Sequence, residues 1–268
     1  MSELGLLGYR FFQYALIGGS LAAIACALIG LFVILRKESM IGDGIAHISF
    51  GGIALGLYIG VNPLITALIV SVIGVLAIAW MRRKGLAQSD SATAVMLAVG
   101  FSIGLILISL SGGFNVELFS FLFGSILTIS TTDLWIVGLL GITALTVVGL
   151  FYKELLSITF DEEASKLMGI PVGLLSTILN VLIAVTIVLS IKVVGMILVA
   201  ALLVLPGLAA LQLGFSYRNT ILASILFGVI SVTLGVFASA VFNVATSGVI
   251  VFTLVAVFLA SAAYKRLE

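Results

Sequence analysis

Two side chains that could bind a metal cation together, Asp43 and His47, lie four residues apart in a stretch that is otherwise apolar or glycine. His47 is the only histidine among 268 residues. Residues at i and i+4 lie on the same face of a helix, so one cation could contact both side chains. A carboxylate with a neutral imidazole suits divalent first-row ions such as Mn²⁺ and Zn²⁺.

The same pair also fits a structural role. The two side chains could hydrogen-bond to each other, or Asp43 could cap the start of its helix. A metal site also needs more than two ligands, since zinc takes about four. A two-fold dimer would supply them, because isologous symmetry brings two copies of the same pair together.

The elements that carry these residues are apolar segments. The composition is 62% hydrophobic and only 9% charged, with a mean hydropathy of +1.40. This indicates an all-α polytopic membrane protein with a single transmembrane domain over residues 1–268. Nine segments approach the ~20 residues that cross a bilayer: Phe11–Leu35, Ile41–Gly60, Leu64–Met81, Ala92–Leu110, Leu134–Phe151, Val172–Ile191, Val193–Leu213, Thr220–Ala238 and Gly248–Ala263. Eight spans, with one segment merged or interfacial, remain an alternative.

The basic residues predict the orientation. With the N-terminus outside and nine crossings, only Arg10 and Lys192 lie on the outer side, as the positive-inside rule favours. The C-terminus is then cytoplasmic. The ten basic residues on the inner side are Arg36, Lys37, Arg82, Arg83, Lys84, Lys153, Lys166, Arg218, Lys265 and Arg266.

The segment Asn115–Ile129 is too apolar for an ordinary loop, yet a tenth crossing here would break the charge asymmetry. We therefore predict a half-helix packed into the outer side of the bundle, because non-spanning backbone is tolerated at membrane depth where protein buries it.

A second informative segment is the inner-side connection 160–171. Asp161 is a good N-cap, Glu162 and Glu163 complement the helix dipole, and Gly169 suits the C-terminal end. The pattern predicts a short helix outside the bilayer. Its apolar stripe could enter a groove of a partner, or the helix could lie on the membrane surface or on its own bundle. The stripe consists of Ala164, Leu167 and Met168.

Three stretches in order along the chain resemble the zinc and manganese permease subunits of bacterial ATP-binding-cassette importers. Arg36 to His47 resembles the signature of that family, Phe160–Pro171 its ATPase-coupling helix, and Lys192–Pro206 its late-span motif. The resemblance runs from about Phe11 to Ala263. The chain departs from the family pattern at Gly44-Ile45, although the Asp-x-x-x-His core is intact.

The resemblance implies a homodimeric permease in a bacterial cytoplasmic membrane that carries Zn²⁺ or Mn²⁺ inward. A metal-loaded external protein delivers the ion, and two cytosolic ATPase subunits drive the cycle. Asp43 and His47 match the metal-contacting residues. Asp161–Gly169 matches the ATPase contact, through Asp161, Glu162, Glu163, Ala164, Leu167, Met168 and Gly169.

Three further polar residues are candidates for the lining of the ion path. Asn180 lies within a span, although an interhelical hydrogen bond is the commoner use of such a residue. Glu117 could offer an entering cation its first carboxylate. Ser125 stands where relatives carry an acidic or amide residue.

The chain itself has no Gly-x-x-x-x-Gly-Lys-Ser/Thr phosphate loop, so ATP hydrolysis needs another chain. We expect no enzymatic activity, no permanently bound cofactor and no nucleic-acid partner. The alternative function is an ATPase-independent carrier or channel for divalent metal. Proton-coupled carriers commonly place several carboxylates inside the spans, and here only Asp43 is clearly intramembrane.

Overall fold

The structure, a computed structural model, describes residues 9–113, 116–124 and 129–265, and for 116 and 117 only the backbone. Twelve helices occur within these residues. They are α1 Arg10–Leu35, α2 Ile41–Ile59, α3 Pro63–Arg83, α4 Ser89–Leu110, α5 Val116–Phe123, α6 Thr131–Leu150, α7 Tyr152–Phe160, α8 Glu162–Leu167, α9 Val172–Val194, α10 Met196–Leu211, α11 Tyr217–Phe242 and α12 Thr246–Lys265.

Each of the nine predicted apolar segments coincides with one of these helices. Seven of the helices are long and apolar enough to cross a membrane by length and composition. The other two are α2, which has 19 residues but carries Asp43 and His47, and α10, which has only 16. The prediction of an all-α polytopic membrane protein is confirmed, with the difference that two of the nine helices are short or partly polar.

The predicted half-helix is present as α5, which has eight residues. It rises about 12 Å, too little to cross a bilayer. α5 packs against α9 and α10 at the Gly195 break between them. There Gly124, which follows α5, approaches so closely that a Cβ on it would lie 2.7 Å from the Val194 carbonyl carbon.

The short helix of the inner-side connection is also present. α8 spans six residues, with Asp161 as its N-cap, and ends one residue earlier than predicted, at the C-cap Met168; Gly169 then turns left-handed (φ +79°). The Asp161 carboxylate caps α8 by accepting a hydrogen bond of 2.9 Å from the Ala164 amide, as predicted. A further helix, α7, precedes it and was not predicted.

α2 lies inside the bundle, enclosed by α3, α4, α9 and α10. Its contact with α4 depends on glycine. A Cβ on Gly51 would lie 2.5 Å from the Gly100 carbonyl oxygen, and a Cβ on Gly100 would lie 2.6 Å from the Ile48 Cα. Such close approach of backbones is the usual means of helix association in lipid, where burial of apolar surface provides little drive.

This packing yields a test at Gly100. Gly100→Ala should lower the free energy of unfolding by about 1–3 kcal/mol, because the added methyl group meets backbone that cannot yield. The matched control is Gly149→Ala near the end of α6, where a Cβ would meet open space. Thermal melting of the purified proteins in detergent measures both. Equal melting temperatures for the two variants would show that the α2–α4 contact is not tight.

Candidate metal-binding site

One accessible stripe runs along the first half of α2. Most residues from Ile41 to Ala54 are buried, whereas Asp43 and His47 are half-buried and Met40, just before the helix, is exposed. The spacing 40, 43, 47 places all three on one face. The metal-binding candidates are therefore reachable from outside the protomer, on an otherwise enclosed helix.

The hydrogen bond of His47 determines which ring nitrogen is free. Nδ1 lies 2.9 Å from the backbone carbonyl oxygen of Asp43. A carbonyl oxygen only accepts, so Nδ1 carries the hydrogen and donates it. In the neutral ring the lone pair then lies on Nε2, which is the atom available to a metal. This arrangement is the usual support for a metal-binding imidazole.

The carboxylate of Asp43 accepts no hydrogen bond from any residue that the structure describes. Asp43 is the third residue of α2, and the N-cap position belongs to Met40, which makes no side-chain cap bond. The two structural roles considered for the pair, a hydrogen bond between the side chains and an N-cap, are thus both absent here. The position in the first helical turn still favours a negative charge.

α4 forms one wall of the site and leaves the other side open. The His47 ring contacts Phe101 edge to face, with centroids 5.4 Å apart. Only 22% of the α4 span is buried in the protomer, compared with 72% of α1. Within the described residues, no cysteine and no further aspartate or glutamate lies close enough to join Asp43 and His47 as a third metal ligand. One protomer therefore presents two ligands at the edge of a bare apolar face.

Just before α2, a buried ion cluster forms that sequence reasoning missed. Glu38 is only 3% exposed, and its carboxylate pairs with Arg82 at the end of α3 and with Arg36 at 3.5 Å. Arg36 also donates a 2.9 Å hydrogen bond to Ser176 in α9. The only sequence signal was the presence of Glu38 between basic residues. It identifies neither Arg82, 44 positions after Glu38, nor Ser176, 140 positions after Arg36.

A second ion pair lies at the opposite end of the bundle. The Lys192 ammonium lies 2.6 Å from the Asp133 carboxylate, which is buried and also accepts hydrogen bonds from the Ser130 amide and hydroxyl. Asp133 and Ser130 form a capping box at the start of α6. This pair joins α6 to α9 and does not contact Asp43 or His47.

Of the three residues predicted to line the ion path, only Asn180 has a side chain that the structure describes, and it does not lie at the site. Asn180 is buried in α9 and lines a different cavity, together with Arg82 and Arg83. Glu117 lies in α5, but its side chain is outside the described part of the structure. Ser125 also lies outside the described residues. A role in the path remains a prediction for each of the three.

The predicted ATPase-contact residues lie together on the surface around α8. Leu167 is 90% exposed and Met168 is 65% exposed, with Ala164 half-buried beside them. Asp161, Glu163 and Gly169 are exposed, and Glu162 is half-buried. An exposed leucine beside an exposed methionine on a short helix outside the spans provides an apolar contact surface for a partner.

The ion cluster yields a stability test. Glu38→Gln leaves Arg36 and Arg82 without their shared anion, and removal of one partner from a buried ion pair costs about 3–5 kcal/mol. The melting temperature of the purified variant should therefore fall by many degrees. Glu163→Gln is the matched control on an exposed glutamate and should melt like the unmodified protein. A melting temperature of Glu38→Gln within a degree of the control would contradict the role assigned to Glu38.

Comparison with known proteins places the chain among transport permeases. The profile of the ABC 3 transport family matches residues 8–265. The manganese transport system membrane protein MntC of Halalkalibacterium halodurans is 35% identical over 246 residues, which cover 92% of this chain and 84% of that protein. The manganese import system permease protein ScaB of Streptococcus gordonii is 33% identical over 257 residues, with coverage of 96% and 92%.

A solved structure shows a similar fold. PsaBC from Streptococcus pneumoniae in complex with Fab contains a chain that superposes with a TM-score of 0.86 at 33% identity, covering 98% of this chain and 97% of that chain. The apolar helical bundle, the extent of the profile match and these relatives agree with the family resemblance found in the sequence. The chain is an integral membrane permease of the ABC 3 transport family.

Proposed function

We propose that this chain is the permease subunit of an ATP-driven importer for a divalent transition metal, with Mn²⁺ as the principal substrate and Zn²⁺ as the alternative. The observation that carries the proposal is the free metal-binding capacity of Asp43 and His47. The carboxylate accepts no described hydrogen bond, and the hydrogen on Nδ1 leaves Nε2 available. Manganese is named first because the relatives MntC and ScaB are named for its transport.

Two copies of the chain would complete the site. Asp43 and His47 supply two ligands, and a first-row metal ion usually takes four or more. The bare face of α4 beside them would be covered by a second copy related by two-fold symmetry. The resulting set of two carboxylates and two imidazoles, without thiolate, suits a hard or borderline ion such as Mn²⁺ or Zn²⁺.

Energy would come from two cytosolic ATPase subunits bound at α8. The exposed Leu167 and Met168 provide the apolar part of that contact, and the absence of a phosphate loop in the sequence requires that another chain hydrolyse ATP. An external metal-binding protein would deliver the ion. In this arrangement the N-terminus lies outside the bacterial cytoplasmic membrane and the C-terminus lies inside, as the basic residues predict.

The metal site is tested by variants of its two predicted ligands, with an exposed aspartate as the control. In proteoliposomes that contain the permease, its ATPase and its binding protein, Asp43→Asn and His47→Ala should each reduce ATP-dependent uptake of radioactive manganese at least about tenfold, because each removes a ligand. Asp90→Asn, at an exposed position in the first turn of α4, should retain uptake.

Two outcomes would count against the transport proposal. Unchanged uptake by His47→Ala, with the complex intact on size-exclusion chromatography, would remove His47 from the path. Metal flux through vesicles that contain this chain alone, without ATPase, would instead favour the ATPase-independent carrier or channel.

The ATPase contact is tested at Leu167. Leu167→Ser should weaken copurification of the ATPase subunit and lower the ATPase activity stimulated by the binding protein, because the most exposed apolar side chain of the α8 surface is lost. Leu86→Ser changes a leucine of 65% exposure in the turn after α3 and should leave both measurements unchanged. If both leucine variants retain the ATPase equally, α8 is not the contact.

A further inference from the structure

A polar cavity of about 340 Å³ lies between the end of α3, α8 and the start of α9. Its lining includes three cationic side chains, Arg82, Arg83 and Lys166, and one carboxylate, Glu162. Arg83 and Lys166 are exposed, whereas Arg82 is partly engaged by Glu38. The excess of positive charge favours an anion rather than the transported cation.

The inner wall of the cavity contains a buried amide with no partner. Asn180 is 3% exposed, and its Oδ1 makes no hydrogen bond in the described structure. Burial of an unpaired polar group is costly, so such a group usually has a ligand or water as its partner. The oxygen and nitrogen of the amide can exchange by a flip, so the side chain can equally donate to an anion at this position.

A second, apolar groove of about 520 Å³ also lies against α9. It runs between α6 and α9 and is lined along α9 from Thr177 to Leu189. The thirteen residues from Thr177 to Leu189 rise about 18 Å along the helix axis. Arg83, which lines the polar cavity, donates a hydrogen bond of 3.3 Å to Thr177, which lines the groove. The two spaces therefore adjoin at this bond.

A cationic pocket beside an apolar groove between membrane helices matches the two parts of a phospholipid. Basic pockets between membrane helices on the cytoplasmic side characteristically bind anionic headgroups, and the cytoplasmic leaflet is the one rich in anionic lipid. In the orientation proposed above, the cavity beside α8 lies on that side. We infer that this is a specific site for an anionic phospholipid, whose phosphate binds at Arg83, Lys166 and Asn180 and whose acyl chain lies between α6 and α9.

The charge part of the site is tested by lipid binding to the full chain purified in a neutral detergent. Stabilisation against heat by added phosphatidylglycerol gives an apparent dissociation constant. Arg83→Gln should raise it about fivefold, the value of one basic residue beside an anionic lipid. Lys166→Gln provides a second variant with the same expected change. Arg218→Gln, on an exposed arginine at the start of α11 outside the cavity, should bind phosphatidylglycerol like the unmodified protein.

The acyl part is tested by filling the groove and by changing the ligand. Val185→Trp places a large side chain on the groove wall and should also weaken the effect of phosphatidylglycerol. Phosphatidylcholine should stabilise the unmodified protein less than phosphatidylglycerol does. Equal stabilisation by inorganic phosphate would overturn the lipid assignment in favour of a soluble anion. Identical dissociation constants for Arg83→Gln, Lys166→Gln and Arg218→Gln would overturn the site itself.

Discussion

The close contact of α2 with its neighbours is the constraint on which the rest of the structure depends. α2 carries an aspartate and a histidine through an apolar bundle, where an ionisable side chain is costly unless it faces a cavity or a partner. Glycines at positions 51 and 52 let α4 and α3 approach backbone to backbone, so that these faces of the helix are sealed. Along the first half of α2 the stripe through Asp43 and His47 stays open, and the function proposed for the chain follows from that stripe.

Ion pairs connect the helices at both ends of the bundle. At one end, Glu38 draws Arg36 and Arg82 together directly before α2, and Arg36 reaches α9 through Ser176. α9 begins at Val172, shortly after the exposed surface of α8. The start of α2 and the first turns of α9 are thus fixed to the same group of side chains. At the other end, Lys192 and Asp133 join α9 to α6 close to α5.

The apolar and polar surfaces left open by the protomer also differ in kind. The face of α4 beside Asp43 and His47 is apolar, which suits a second copy of the chain. The cavity at Arg83 and Lys166 is cationic and lies beside an apolar groove, which suits a lipid. The surface around Leu167 is a small apolar patch outside the spans, which suits a soluble partner. Each opening therefore favours a different class of contact, although all three lie on one bundle.

Local patterns were sufficient for the helices and for part of the site. Hydropathy predicts all nine apolar segments, because a helix in lipid requires a continuous apolar run. The spacing of Asp43 and His47 places both on one face, because helix geometry is periodic. The cap of α8 was also predictable, because the Asp161 carboxylate accepts its hydrogen bond from the Ala164 amide, only three residues later. The pairing of Glu38 with Arg82 and of Lys192 with Asp133 depended on the tertiary structure, because the partners lie on helices distant in sequence. The free Nε2 of His47 could not be predicted from the sequence either, because it depends on the side-chain rotamer that places Nδ1 against the Asp43 carbonyl oxygen within α2.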